Sequence, residues 1–480
     1  MPIEAKLTIT PTDLLVQQNP SCELTLTNAG PGDIAIPTPL DHPAVLGMRV
    51  TEISTGIEVQ RWREAGLKPP ASRPVKAGNT VTGYFGLIPV SHIHAPGTFE
   101  VSALVRIKLD LIESNRVRLT LAPVTPRSHA AVTVNGGHST IRYSVSINRA
   151  ADPPRLVRHR IEAVNEGGAT NAWNMAEVPP DVAPQISSCA NRSVTHAHWV
   201  AWIEGENLRA QHIAADGTLT RPESVRVPSK DSRLVAPLSI DPDGTPDNPM
   251  PGRALLWTPG VAGGTLTPVT FAPGAKPQLG EPRPLDGSPP VWLQTFERSD
   301  RTAWVIRAAK TEGGQLLQVL PWPGSVNAAA TPKKIGVFDG DFLAGTVVLD
   351  DADTLHVAVL VMVDPARTRQ VRLLTWRCAA MDQPVAADPL DIPWPADEPV
   401  AKAIVRFDPR NIPNALISNG VSWHFYDARR ELKPAPAVLN TASTVDLVFF
   451  KASPAFLLGK PMFGFDIIQS DGSPLPHRCG

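Results

Sequence analysis

Cysteine is scarce in this sequence, with Cys22, Cys189, Cys378 and Cys479 as the 4 cysteines in 480 residues. They form no Cys-x-x-Cys pair. That excludes a zinc ribbon and a dense disulfide framework, and it fits a reducing, cytoplasmic setting. A dominant charge is also lacking, since Lys and Arg total 45 against 46 Asp and Glu, a net charge of -1. With no basic excess to neutralise phosphates, a nucleic-acid partner is not expected. No apolar run reaches bilayer-spanning length, so no transmembrane segment is expected. The opening Met1-Pro2-Ile3-Glu4-Ala5-Lys6 has no apolar h-region, so no signal peptide is expected, although leaderless export stays open. A Gly-x-Ser-x-Gly elbow, a phosphate-cradling Gly-x-x-x-x-Gly-Lys loop and a Gly-x-Gly-x-x-Gly turn are absent as well, which removes the usual hydrolase nucleophile and nucleotide sites.

Proline is abundant, at 51 residues alongside 34 glycines. Long helices cannot absorb that density, because each proline removes a backbone donor and clashes with the preceding turn. Short strands joined by turns can, so the expected fold class is all-β. The first strands alternate strictly: Lys6-Leu7-Thr8-Ile9-Thr10, then Cys22-Glu23-Leu24-Thr25-Leu26-Thr27-Asn28 before Gly30-Pro31-Gly32. About seven such strands over roughly 110 residues predict a sandwich spanning residues 1–125. With its Thr27-Asn28-Ala29-Gly30 turn and its Pro96-Gly97-Thr98-Phe99-Glu100-Val101 final strand, this segment resembles the immunoglobulin-like domains of bacterial multidomain proteins. The resemblance implies a sandwich and names no activity. Residues 126–185 read as a linker with a possible clasp strand at Thr140–Ile147.

From residue 186 the chain becomes quasi-periodic. An apolar strand recurs at Trp199–Ile203, Ala254–Trp257, Ala303–Ile306, Leu355–Val363, Asn414–Ser418 and Leu447–Phe450. The spacing, mostly about 50 residues, is that of one four-stranded propeller blade. Residues 186–480 are therefore predicted to form a β-propeller of about six blades, the last of them incomplete. A repeated jelly roll or three stacked sandwiches is the alternative.

Candidate chemistry is sparse. His196 and His198 form a His-x-His beside an apolar strand, a pattern that can place two imidazoles on one face toward a metal. Asp241, Asp243 and Asp247 surround a tight Gly244 turn with hard oxygen donors, which is what calcium requires, although no closing glutamate follows; calcium is the one cofactor considered. Asp350-Asp351-Ala352-Asp353 is a weaker loop of the same kind. Among 11 tryptophans, Trp322 and Trp394 sit between prolines in loops and are the candidate contact residues for a protein or a sugar. Cys189 and Cys479 would flank the propeller and meet if the ring closes, which makes them a candidate disulfide.

With no catalytic residue identified, the reading favours a non-enzymatic interaction or scaffold protein. On that reading a propeller face binds a protein partner and the sandwich docks to a larger assembly. Two alternatives stand beside it: a hydrolase with a metal-assisted or acidic site in the propeller channel, and a carbohydrate-binding module.

Overall fold

The computed structural model describes residues 3–60, 67–87, 93, 95–135, 139–164, 167–187, 198–214, 218–240, 252–298, 302–323, 331–350, 352–363, 370–379, 383–395, 397–427, 431–450 and 453–473. Apart from one short 3-10 turn at Ala437–Thr441, every regular element among them is a β-strand. No helix among the described residues is long and apolar enough to cross a membrane.

Eleven strands build the N-terminal part: β1 (Ile3–Thr10), β2 (Asp13–Leu15), β3 (Ser21–Asn28), β4 (Ile34–Pro37), β5 (Leu46–Glu52), β6 (Glu58–Gln60), β7 (Ser72–Val75), β8 (Thr80–Gly86), β9 (Gly97–Ile107), β10 (Asp110–Glu113) and β11 (Val117–Ala122). One sheet runs β1-β3-β8 and the other β2-β11-β9-β5-β6, with β10 beside β9 and β4-β7 as a separate ribbon. The period-two pattern explains the facing: Leu7 and Ile9 of β1 and Cys22, Leu24 and Leu26 of β3 point inward, while Lys6, Thr8 and Glu23 point to solvent. They meet Met48, Val50, Val101, Val105 and Leu119 of the second sheet in one core. Two sheets facing each other across one core make this part a β-sandwich.

Seven sheets follow in sequence, at residues 126–177, 185–226, 233–284, 290–338, 341–392, 402–434 and 444–469. In each, hydrogen bonding runs outward from the first strand in chain order. The first strand of each sheet packs beside the first strand of the next, and Pro126–Asn135 meets Thr444–Phe450 to close the circle. The result is a β-propeller whose blades are numbered 1 to 7 in that order. The count differs from about six because residues 126–177, read from the sequence as a linker, make a complete four-stranded blade. Its second strand, Ser139–Asn148, buries Ser144, Ser146 and Asn148 among Tyr143, Val145 and Ile147, so it lacks the continuous apolar run that marks the other blades. In blade 7 the apolar Leu447–Phe450 lies on the first strand rather than the second.

Apolar wedges join successive blades. Tyr143 and Leu156 of blade 1 pack with Val200 and Trp202 of blade 2, and further buried clusters span blades 2–3, 3–4, 4–5, 5–6 and 6–7. Several are tryptophans seated on glycines of the neighbouring blade. A Cβ at Gly252 would come within 2.5 Å of the Trp199 ring, and one at Gly345 within 2.8 Å of Trp292. Rigid rings at that distance tolerate no added methyl.

The seventh interface, between blades 7 and 1, is built differently. Among the described residues no buried apolar cluster spans it; a buried edge-to-face contact of His159 with Phe465, at 4.6 Å, and main-chain and amide hydrogen bonds take that place. Val124, in the connector from the sandwich, bridges Phe463 in parallel: its N–H donates to Met462 O at 3.1 Å, and Gly464 N–H donates to Val124 O at 2.9 Å. Met462 N–H donates to Thr125 Oγ1 at 2.9 Å, and the Ser443 hydroxyl lies 2.6 Å from Pro126 O. Among the described residues blade 7 has three strands, so Gly464–Gln469 is its outermost described strand. At Phe465 the sandwich fills its outer edge with one side chain. Gln17 Nε2 donates to Phe465 O at 2.5 Å, and Phe465 N–H donates to Gln17 Oε1 at 3.1 Å, so the amide stands in for a residue of a further strand. Gln17 O also accepts from Ala172 N–H of blade 1 at 3.1 Å. One residue thus ties the first and last blades together. Gly464 makes the approach possible: its φ is +79°, and a Cβ there would lie 2.3 Å from Gln17 Oε1.

Gln17→Ala removes both hydrogen bonds to the Phe465 main chain, a loss of about 1–3 kcal/mol. Urea denaturation should show a lower midpoint for the variant, with blade 7 opening before the other blades. An unchanged midpoint would show that the amide bears no share of the closure.

Candidate functional site

The second strand of blade 5, Leu355–Val363, carries two rows of side chains. Leu355, Val357, Val359 and Val361 enter the core shared with blade 4, whereas Ala358, Leu360 and Met362 enter the core shared with blade 6. His356 begins the second row, a lone imidazole in an otherwise apolar run. It is partly buried, with 15% of its side chain exposed.

A turn anchored on Asp350 holds this imidazole. Asp350 Oδ1 accepts from the N–H groups of Ala352 and Thr354 at 2.9 and 2.8 Å, and the second oxygen, Oδ2, lies 3.0 Å from His356 Nε2. Since the carboxylate can only accept, Nε2 carries the proton and Nδ1 is left as the basic nitrogen. The hydrogen bond from His356 is the largest influence on Asp350. Together with the donors of Thr354 and Ala352, and against partial desolvation, it lowers the carboxyl from its usual 3.8 to about 2. Asp353 of the same turn has φ +56° and pairs with Arg298 of blade 4 at 3.6 Å.

Blade 6 repeats the turn with a different outcome. Asp408 Oδ1 accepts from Arg410 and Ile412 N–H, both at 2.9 Å, and Asn411 takes φ +61°. There the second oxygen binds the Arg410 guanidinium at 2.7 Å. The aspartate is thus the staple of a recurrent hairpin, and the imidazole on its free oxygen distinguishes blade 5.

A cleft of about 350 Å³ opens between these two blades. His356, Thr375 and Arg377 line it from blade 5, and Phe407, Asn411 and Pro413 from blade 6. Phe407 meets His356 at 6.1 Å with the rings inclined at 68°. The size suits a small ligand. The arrangement provides an oriented base beside a cavity with apolar walls and several polar donors.

The residues singled out from the sequence lie elsewhere. Trp322 is 5% exposed and packs between blades 3 and 4 with Val235, Leu255 and Val305. Trp394, 6% exposed, packs between blades 5 and 6, and its indole N–H donates to Glu398 O at 3.0 Å. Neither is therefore an exposed contact residue: the prolines that flank them turn the chain while the rings fill the wedge between blades. His198 is fully buried, its ring 4.2 Å from that of Tyr143 and inclined to it at 51°, at the interface of blades 1 and 2. His196, Asp241, Asp243, Asp247, Cys189 and Cys479 lie outside the described residues. Among the described residues no three His, Cys, Asp or Glu side chains are arranged to hold a metal. In the loop at 350–353, the Asp350 and Asp353 carboxylates are already engaged by His356 and Arg298. Cys22 and Cys378 are free and buried, and burial pushes their thiols up to about 12 and about 11, so both are unreactive at neutral pH.

No family model and no curated protein matches the chain. Solved structures do. A catalytically inactive variant of virginiamycin B lyase from Staphylococcus aureus, with quinupristin, matches at 11% identity and TM-score 0.39, over 72% of this chain and 96% of that one. An oligogalacturonate lyase in complex with manganese matches at 8% identity and TM-score 0.38, over 81% and 100%. A Mycobacterium tuberculosis puromycin-hydrolyzing peptidase matches at 12% identity and TM-score 0.36, over 74% and 56%. The expectation of a non-enzymatic scaffold is corrected here: the matching structures are mainly those of lyases, glycosidases and a peptidase. At these identities the likeness concerns the fold, and the case for chemistry rests on the side chains described above.

A carboxyl held at about 2 in the folded chain contributes stability above its ordinary value of 3.8, and that contribution is lost as pH falls through about 2. The stability gap between the parent chain and Asp350→Asn should therefore shrink as pH falls from about 4 to 2. Urea midpoints measured across that range check it. A gap that does not vary with pH would show that Asp350 is not ionised against His356.

Proposed function

We propose that the chain is a hydrolase or lyase whose site is the cleft between blades 5 and 6, with His356 as general base and Asp350 as its positioning residue. The observation that carries the reading is the 3.0 Å contact between Asp350 Oδ2 and His356 Nε2. It fixes the tautomer that leaves Nδ1 basic, on a side chain that lines the cavity. The base takes a proton from a water molecule that attacks the substrate, or from the substrate itself in an elimination. When the imidazole becomes protonated, the adjacent carboxylate stabilises the charge. Phe407 and Pro413 keep one wall apolar and limit the water around the base.

The site differs from the hydrolase alternative read in the sequence, which placed acidic or metal-bound residues in the central channel. Asp446, buried on the first strand of blade 7, pairs with Arg406 at 3.1 Å, and that carboxylate is occupied. We also place the chain in the cytoplasm, a reading supported by the two buried, unpaired thiols.

Activity is to be measured on a panel of glycosides, uronic-acid oligomers, esters and peptide amides. Replacing a general base costs about 10²–10⁴-fold in rate, so His356→Gln should lose at least a hundredfold while keeping the parent's circular dichroism spectrum at the assay temperature. Full turnover in a folded His356→Gln chain would overturn the assignment.

A further inference from the structure

Arg377 is the cross-strand partner of His356 in the pair formed by Leu355–Val363 and Gln370–Ala379. Side chains directly opposite each other in an antiparallel pair have Cβ atoms about 4.5–5.5 Å apart and share one face of the sheet. The guanidinium and the basic imidazole therefore open onto the same cleft, which both residues line. Arg377 is exposed, and it takes part in none of the ion pairs found among the described residues. Three nearby carboxylates are engaged elsewhere: Asp350 with His356, Asp353 with Arg298 and Asp391 with Arg372. Among the described residues no carboxylate lines the cavity, and the ionisable groups that line it are His356 and Arg377.

We propose that the cleft takes a small organic molecule bearing a carboxylate, and that Arg377 is the residue that binds it. The inference rests on the enzymatic reading above and names its substrate class. A guanidinium presents two parallel N–H donors that match the two oxygens of a carboxylate. Thr375 and Asn411 add a hydroxyl and an amide at the rim, while Phe407 and Pro413 supply apolar contact for the rest of the molecule. A single guanidinium balances one negative charge, and a phosphate dianion calls for more. Held this way, the ligand presents the groups next to its carboxylate to His356 Nδ1.

The test is saturation-transfer NMR on the full chain with two matched pairs of probes, glucuronate against glucose and benzoate against benzamide. Within each pair the charge changes and the size does not. The carboxylates should bind and their neutral counterparts should bind at least about tenfold more weakly. Arg377→Gln should remove that preference, Arg377→Lys should restore part of it, and His356→Gln should keep it. Arg377 is exposed, so both of its variants should unfold at the parent's temperature. Equal binding of charged and neutral probes, or a preference that survives in Arg377→Gln, would overturn the ligand class. Turnover that still depended on His356 would then leave the enzymatic reading standing, whereas loss of that dependence with the preference intact would point to a binding site without catalysis.

Discussion

The contact on which the rest of the structure depends is the one between the Gln17 amide and the main chain of Phe465. A propeller is a ring, and every blade keeps its place only if the last blade is held against the first. Six of the seven interfaces are secured by buried apolar clusters, with tryptophans wedged against glycines of the next blade. The seventh combines direct contacts of blades 7 and 1, His159 on Phe465 and Ser443 on Pro126, with bonds from Val124, Thr125 and Gln17, which belong to the sandwich and its connector. The two parts of the chain therefore form one mechanical unit, and the sandwich is a component of the propeller's closure. Leu15 of the sandwich makes the same point with apolar surface, since it is buried with Val124 of the connector and with Val157 and Ala172 of blade 1.

The cleft depends on that closure indirectly. Its walls come from two blades, and the imidazole meets Phe407 across the gap between them. Were the ring free to open at the seam, the remaining blades could splay and the gap would widen. A closed ring holds the angle between blades 5 and 6 and with it the distance from the base to the opposite wall. In the repeat itself, chemistry shows as a deviation from a shared design. The hairpins that begin at Asp350 and Asp408 are alike in their main-chain bonds and their left-handed fourth residue, and they differ in what the spare carboxylate oxygen holds. In blade 6 an arginine of the same turn neutralises it, and in blade 5 it orients a histidine.

Much of the architecture was legible in the residues. Strict alternation in Leu7-Thr8-Ile9 and in Cys22–Leu26 marked sandwich strands, and the recurrent apolar strands marked blades. Blade 1 escaped notice because Ser144, Ser146 and Asn148 interrupt its second strand, and these polar side chains are buried where periodicity alone would expect hydrocarbon. The seam was not legible, because it rests on the side chain of a single glutamine 448 positions from its partner. Trp322 and Trp394 misled through their prolines: a Pro-Trp-Pro segment reads as an exposed loop, but the chain turns there so that the ring can enter an interface. The site did leave a signal. A histidine that interrupts Leu355–Val363, six residues after an aspartate at a hairpin, is a polar group placed where the apolar row is otherwise continuous. Read as part of an apolar strand it disappears, and only the sheet register sets Arg377 across from it.

The most direct test of the closure is hydrogen exchange at the Phe465 amide in the unmodified chain. That N–H sits on the outer side of the outermost described strand of blade 7, where an unpaired edge would exchange freely. With Gln17 Oε1 as its acceptor, it should be protected to the same degree as the amides of Ser453–Lys460, the middle strand of the blade. Exchange at the rate of an unpaired edge would contradict the account, and would mean that the sandwich rests against the propeller without closing it.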